Sequence, residues 1–161
     1  MSQNPNGLLE YIPGSHAVLV QRNSSPPLEG FAENIRESIH EYAEDSKNEV
    51  EKGNNFLQWI LTRVFEATED DAADAIVDGA NDLGIDAYLP VDFSDNTIRL
   101  FQSKYSSAHS TGAIDQFVQD VLRLKEKEQS KLKRDELQYL WKILNDKKMK
   151  IDLVYITDRY V

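Results

Sequence analysis

Apolar side chains recur every three or four residues along residues 31–42 and again along residues 56–65. This spacing collects them on one side of a helix, so the pattern predicts two amphipathic helices separated by a break at Gly53. Thr68 precedes an acidic run and is a typical N-cap residue, which predicts a short third helix over residues 69–76. The first half of the chain is therefore expected to be largely helical.

The middle of the chain has the pattern of a β-hairpin. Residues 78–84 contain Gly and Asn, which tolerate a positive φ and predict a turn. Residues 85–92 and 97–106 read as two strands, and the polar segment 93–96 fits the connection between them. The second strand is apolar on both faces, so we expect it in the centre of a sheet.

Two helical patterns and one apolar run follow the hairpin. Residues 114–124 and 132–144 carry apolar residues at helical spacing, and residues 151–156 are typical of a buried parallel strand. A hairpin followed by helices and a strand requires a crossover, which predicts an α/β fold with a central mixed β-sheet flanked by α-helices. Residues 1–30, rich in Asn, Ser, Pro and Gly, are assigned to an N-terminal extension, and residues 31–161 to one domain. The abrupt end after the last strand leads us to expect a longer natural protein with a C-terminal domain.

Composition excludes several classes of site. The 161 residues include no cysteine, which excludes disulfides and thiolate chemistry and fits a cytoplasmic location. No apolar run is long enough to cross a bilayer, so we expect no membrane partner. The net charge of −10 is uneven: residues 1–103 carry 6 Lys and Arg against 19 Asp and Glu, whereas residues 104–150 carry 11 against 7. The basic segment is either a solvated helical surface or a surface that contacts phosphates.

One stretch combines an acid, an amide and an ammonium in a way that suits phosphodiester chemistry. Asp86 stands at the start of a predicted strand, and Gln102 and Lys104 share a face of the next strand because they are two residues apart. A hard divalent cation takes oxygen ligands, and a nearby lysine can orient or deprotonate water or stabilise phosphate charge. Singly, each residue has an ordinary structural explanation, since Asp is common in turns and Lys at strand ends. The prediction of a nuclease site depends on the combination.

The motif Gly84-Ile85-Asp86 followed by Gln102-Ser103-Lys104 resembles the G-[IV]-D … QxK signature of Mrr-type restriction endonucleases, a branch of the PD-(D/E)xK superfamily. The longer form NDLGIDAYL … IRLFQSKYS is more similar to the N-terminal domain of abortive-infection phage-resistance (AIPR) proteins, over about residues 55–158. The resemblance implies a restriction-endonuclease-like core and a Mg²⁺- or Mn²⁺-dependent endonuclease of phage defence, with DNA preferred to RNA as its partner. The alternative is an inactive nucleic-acid-binding or protein-interaction domain of a defence protein.

By position, the resemblance implies a role for each residue of the motif. Asp86 and Gln102 ligate the metal together with the backbone carbonyl of Ser103, and Lys104 is the catalytic lysine. Gln102 stands where the family usually has glutamate, which lowers the negative charge of the site.

Further candidates lie outside the motif. The additional acid that the family often takes from a helix is expected to be Glu66 or Glu69, with Glu51 as a further alternative, and Asp82 aligns with an acid of the turn before the first strand. A homodimer is one open alternative for the oligomeric state. The residues expected to contact the nucleic-acid backbone are Lys125, Lys127, Lys131, Lys133 and Arg134.

Overall fold

The computed structural model describes residues 31–44, 46–77, 84–105 and 112–158, in which five α-helices and three β-strands occur. The predicted extension over residues 1–30 lies outside this part of the chain. In chain order the elements are α1 (Phe31–Glu44), α2 (Glu49–Arg63), α3 (Glu69–Ala75), β1 (Ala87–Asp92), β2 (Thr97–Lys104), α4 (Gly112–Glu126), α5 (Asp135–Leu144) and β3 (Lys150–Thr157).

The first two helices are separated at residues 46–48, and the predicted break at Gly53 is wrong. Asn48 caps α2, because its side chain accepts a hydrogen bond of 3.0 Å from the backbone N–H of Glu51. Gly53 lies inside α2, where glycine costs about 1 kcal/mol relative to alanine. Burial of Phe56 alone stabilises the helix by about 1.5–3 kcal/mol, which offsets that cost. Within the described parts of the chain, no helix has the length and apolarity needed to cross a membrane.

The strands form a mixed sheet in the order β1-β2-β3. β1 pairs antiparallel with β2 through the turn at residues 93–96, where Asn96 adopts a φ of 56°, and β3 pairs parallel with β2. The predicted hairpin, crossover and central position of the second strand are confirmed. β3 is the edge strand of the described sheet, so most of its residues are half-buried, and Leu153 is exposed, rather than buried as predicted.

Helices cover both faces of the sheet, as the pattern predicted. On one face, α2 and α3 enclose Ala87 and Phe101 in an apolar cluster. On the other face, α4 and α5 pack against Ile98 and Leu100. Because side chains alternate along a strand, Gln102 and Lys104 lie on the face covered by α4 and α5.

Candidate functional site

Asp86 lies immediately before β1, where the antiparallel ladder with β2 ends. Its backbone N–H donates to the carbonyl of Phe101 at 2.8 Å, and its carboxylate Oδ2 accepts from the backbone N–H of Ser103 at 2.7 Å. These two bonds lie on either side of Gln102 in the sequence of β2. The structure therefore brings Asp86 together with Gln102 and Ser103, while the chemical roles of these residues stay predictions.

The side-chain amide of Gln102 is an unusual group for the interior. Gln102 is 7% exposed, and none of the residues that the structure describes hydrogen-bonds to its amide. The two polar atoms of the amide keep some contact with solvent. The amide is therefore accessible at this position and is a candidate for binding a ligand.

Gly84 allows the chain to pass close to this amide. Its φ is 71°, in the left-handed region that side chains disfavour. A Cβ atom at this position would lie 2.9 Å from Nε2 of Gln102 and 3.1 Å from Oδ2 of Asp120. An amide and a carboxylate from different elements therefore converge on one point of the backbone, two residues before Asp86.

Asp120 is an acid beside Gly84 to which the sequence reasoning gave no role. It lies on α4, three residues after Phe117 and four before Leu124, both of which are fully buried in the core. These spacings put Asp120 on the stripe that faces the sheet, where the pattern favours an apolar residue. An acid inside an apolar stripe was the signal that could have found it. Its Oδ1 accepts hydrogen bonds from Gln116 at 2.8 Å and Arg123 at 3.0 Å.

Lys104 and Tyr155 extend the polar region along the same sheet face. Lys104 is half-buried at the end of β2, two residues beyond Gln102. Tyr155 of β3 is the register partner of Gln102, and parallel partners share a face. Burial raises the pKa of the Tyr155 phenol, and the negative charge of Asp86 raises it further. Asp86 and Tyr155 are therefore close enough to interact electrostatically, although sequence reasoning gave Tyr155 no role.

The structure does not bring the predicted helical acids to Gln102. Glu69 begins α3, and its Oε2 accepts from the Tyr42 hydroxyl at 3.0 Å and from Gln58 at 3.3 Å. Glu66 is exposed in the turn between α2 and α3, with a φ of 59°. Both belong to the helical layer that covers the opposite sheet face. Asp82 lies outside the described residues.

The residues predicted to contact nucleic acid lie at the end of α4 and in the segment that leads to α5. Arg134 is half-buried and forms an ion pair of 3.7 Å with Glu136, and Lys131 forms one of 3.0 Å with Glu128. Surface ion pairs of this kind contribute about 0–1 kcal/mol, so a phosphate can compete with the acid for the cation. The exposed members of the set are Lys125, Lys127, Lys131 and Lys133.

The donor atoms around Gln102 fit a hard divalent cation in type. The carboxylates of Asp86 and Asp120 and the amide carbonyl of Gln102 offer oxygen, which Mg²⁺ and Mn²⁺ prefer. Among residues 31–44, 46–77, 84–105 and 112–158, no group of three or more His, Cys, Asp or Glu side chains could hold a metal ion. A cation at this place therefore depends on the amide and on backbone carbonyls, such as that of Ser103, as well as on carboxylates.

Comparison of the chain with models of protein families, with curated proteins and with solved structures finds no match. The resemblance carried by the motifs stays a prediction, and function is inferred from the residues of the site.

Proposed function

We propose that the chain is a metal-dependent nuclease domain of the PD-(D/E)xK kind, with a restriction-endonuclease-like core, that hydrolyses nucleic-acid phosphodiester bonds in phage defence. The observation that most supports this proposal is the hydrogen bond from Ser103 to Asp86. It holds a carboxylate beside Gln102, while Lys104 lies on the same strand face as Gln102. This bond and the shared strand face support a site that combines an acid, an amide and a lysine.

Each residue has a distinct task in the proposed reaction. Asp86, Gln102 and the carbonyl of Ser103 would hold Mg²⁺ or Mn²⁺, and the N–H of Ser103 orients the carboxylate. When bound, the divalent cation supplies Lewis-acid stabilisation of phosphate charge. The Lys104 ammonium stabilises the same developing charge or orients the attacking water.

Substitution of Lys104 tests the proposal. We expect Lys104→Ala to reduce the rate of Mn²⁺-dependent cleavage at least about a hundredfold, the usual effect of removing one group that stabilises transition-state charge. Cleavage is measured on labelled duplex DNA, single-stranded DNA and RNA, with an EDTA blank and with circular dichroism to verify the fold.

Lys142→Ala is the matched control, because Lys142 is an exposed lysine of α5 to which no role is assigned. It is expected to cleave like the wild type. Undiminished cleavage by Lys104→Ala, in a preparation free of host nucleases, would exclude the proposed role of the lysine.

A non-catalytic binding domain is the second candidate. It is favoured by Gln102, an amide in place of the usual acid, and by the lack of a three-residue metal group in the described chain. Nucleic-acid binding that persists in EDTA, without metal-dependent cleavage by the wild type, would establish this function. Failure to bind nucleic acid at any salt concentration would instead favour a protein-interaction domain.

A further inference from the structure

We propose that Asp120 supplies the second carboxylate of a cation site formed with Asp86 and Gln102, so that α4 provides the additional acid. This inference rests on the proposed function, because the cation is the one that the nuclease reaction requires. The additional acid would then come from α4, the helix that follows β2 in the chain. The acids expected from the sequence, Glu66 and Glu69, precede the hairpin.

The two carboxylate oxygens of Asp120 have different surroundings. Gln116 and Arg123 both donate to Oδ1, at 2.8 and 3.0 Å. Oδ2 is the oxygen that lies 3.1 Å from the Cβ position of Gly84. The side chain of Asp120 is 18% exposed, whereas that of Arg123 is 62% exposed. The helix therefore fixes the carboxylate through its outer oxygen and directs the inner one towards the site.

Gln102 is the independent observation that points to a ligand. Its side chain is more than nine-tenths buried, no described residue hydrogen-bonds to it, and its amide lies 2.9 Å from the same Cβ position of Gly84. An amide can turn its oxygen towards a cation or its nitrogen towards a carboxylate, because the two orientations have nearly the same shape. A cation between Asp120 and Asp86 would give the amide oxygen its partner.

The position of Glu69 supports the choice of α4. The Glu69 carboxylate already accepts from Tyr42 and Gln58 in the helical layer over the Phe101 face. Asp120 belongs to the layer over the face of Gln102 and approaches Gly84, two residues before Asp86. A single cation that uses Gln102 can therefore reach Asp120 without rearrangement of the helices.

Binding of Mn²⁺ to the full chain tests the inference independently of cleavage. We expect Asp120→Asn to weaken Mn²⁺ binding at least about tenfold, as loss of metal-site partners commonly does. Affinity is measured by isothermal titration calorimetry and by the electron paramagnetic resonance signal of free Mn²⁺. The matched control is Asp115→Asn, an exposed acid in the first turn of the same helix, which should bind like the wild type.

A second measurement separates a ligand from a purely structural residue. Loss of a structural contact lowers the melting temperature in EDTA, but it leaves the increment caused by added Mn²⁺ unchanged. Loss of a ligand reduces that increment. The inference requires a smaller increment in Asp120→Asn than in Asp115→Asn.

The outcomes distinguish this inference from the proposed function. If Asp120→Asn binds Mn²⁺ like the wild type while Asp86→Asn loses binding, the role of Asp120 is refuted and the nuclease proposal stands. If the wild type shows no Mn²⁺ binding, the shared cation site is refuted. Metal-dependent cleavage by the wild type then decides the nuclease proposal on its own.

Discussion

Replacement of Gly84 by alanine probes the convergence of Gln102 and Asp120 directly. Two effects act against the new side chain. The φ of 71° places it in the left-handed region, which costs a residue with a Cβ about 1–2 kcal/mol. The Cβ would also lie 2.9 Å from Nε2 of Gln102 and 3.1 Å from Oδ2 of Asp120, so at least one side chain must shift.

The magnitude follows from adding these effects. Moving a buried side chain off its preferred rotamer costs about 0.5–1.5 kcal/mol, so the total destabilisation is about 1.5–3.5 kcal/mol. For a chain of this length, that corresponds to a fall in melting temperature of about 3–14 °C. The free energy of unfolding is measured by urea denaturation in EDTA, with melting temperatures from circular dichroism.

A double-mutant cycle separates backbone strain from crowding. In an Asp120→Ala background the contact with Oδ2 is gone, so Gly84→Ala should cost about 0.5–1 kcal/mol less than it does in the wild type. The part of the destabilisation that comes from the strained φ of residue 84 persists in both backgrounds. Gly53→Ala is the matched control: no atom lies within 4 Å of its Cβ position inside α2, and we expect it to stabilise the protein by about 1 kcal/mol.

Two results would refute this reasoning. A Gly84→Ala variant as stable as the wild type would show that neither the strained φ nor the close approach exists in solution. A cost that is unchanged by Asp120→Ala would show that the carboxylate does not reach Gly84. The second result would also remove the geometric support for Asp120 as a ligand.

Two further predictions concern charge. Changing Lys125, Lys127, Lys131 and Lys133 to Gln should reduce the slope of log K for nucleic-acid binding against log salt by up to about 0.9 for each lysine that contacts a phosphate, and an unchanged slope would exclude these contacts. The pKa of Tyr155 is raised above its ordinary value of 10.0 by burial and by Asp86, so the stability that its neutral phenol contributes is complete below pH 10.0 and is lost as the pH rises through the folded pKa. Urea denaturation should therefore show a smaller alkaline loss of stability in Tyr155→Phe than in the wild type, and equal losses would contradict this account.

The elements predicted best from the sequence are those in which apolar residues recur in one regular pattern. α1, α4 and both hairpin strands were predicted because each has one pattern that repeats over several turns or residue pairs. Gly53 was misread as a break because only the low helix propensity of glycine was considered. The stability that α2 gains from burial of its apolar side chains was left out. Exposure of β3 was also not predictable, because an apolar strand has the same composition at the edge of a sheet as at its centre.

The same distinction explains which site residues were found. Asp86, Gln102 and Lys104 belong to one hairpin, whose short connection brings its strands together, so their proximity was predictable from sequence separation alone. Asp120 approaches Gly84 only because α4 packs at one particular place on the sheet. Sequence spacing carries no information about that placement, so the acids expected from the sequence were Glu66 and Glu69, and Asp120 was not considered.

The topology gives a physical reason for the site to lie at this end of the strands. The start of β1, the end of β2 and the end of β3 meet there, because β1 is antiparallel and β3 parallel to β2. Backbone pairing between β1 and β2 stops at this end of the strands. The backbone N–H groups beyond it donate to side chains instead, as Ser103 does to Asp86. The crossover between β2 and β3 begins with α4, and the sheet-facing stripe of this helix must pass over the same region. A polar residue on that stripe in the middle of α4 is consequently directed at the ends of the strands, which is the position that Asp120 occupies.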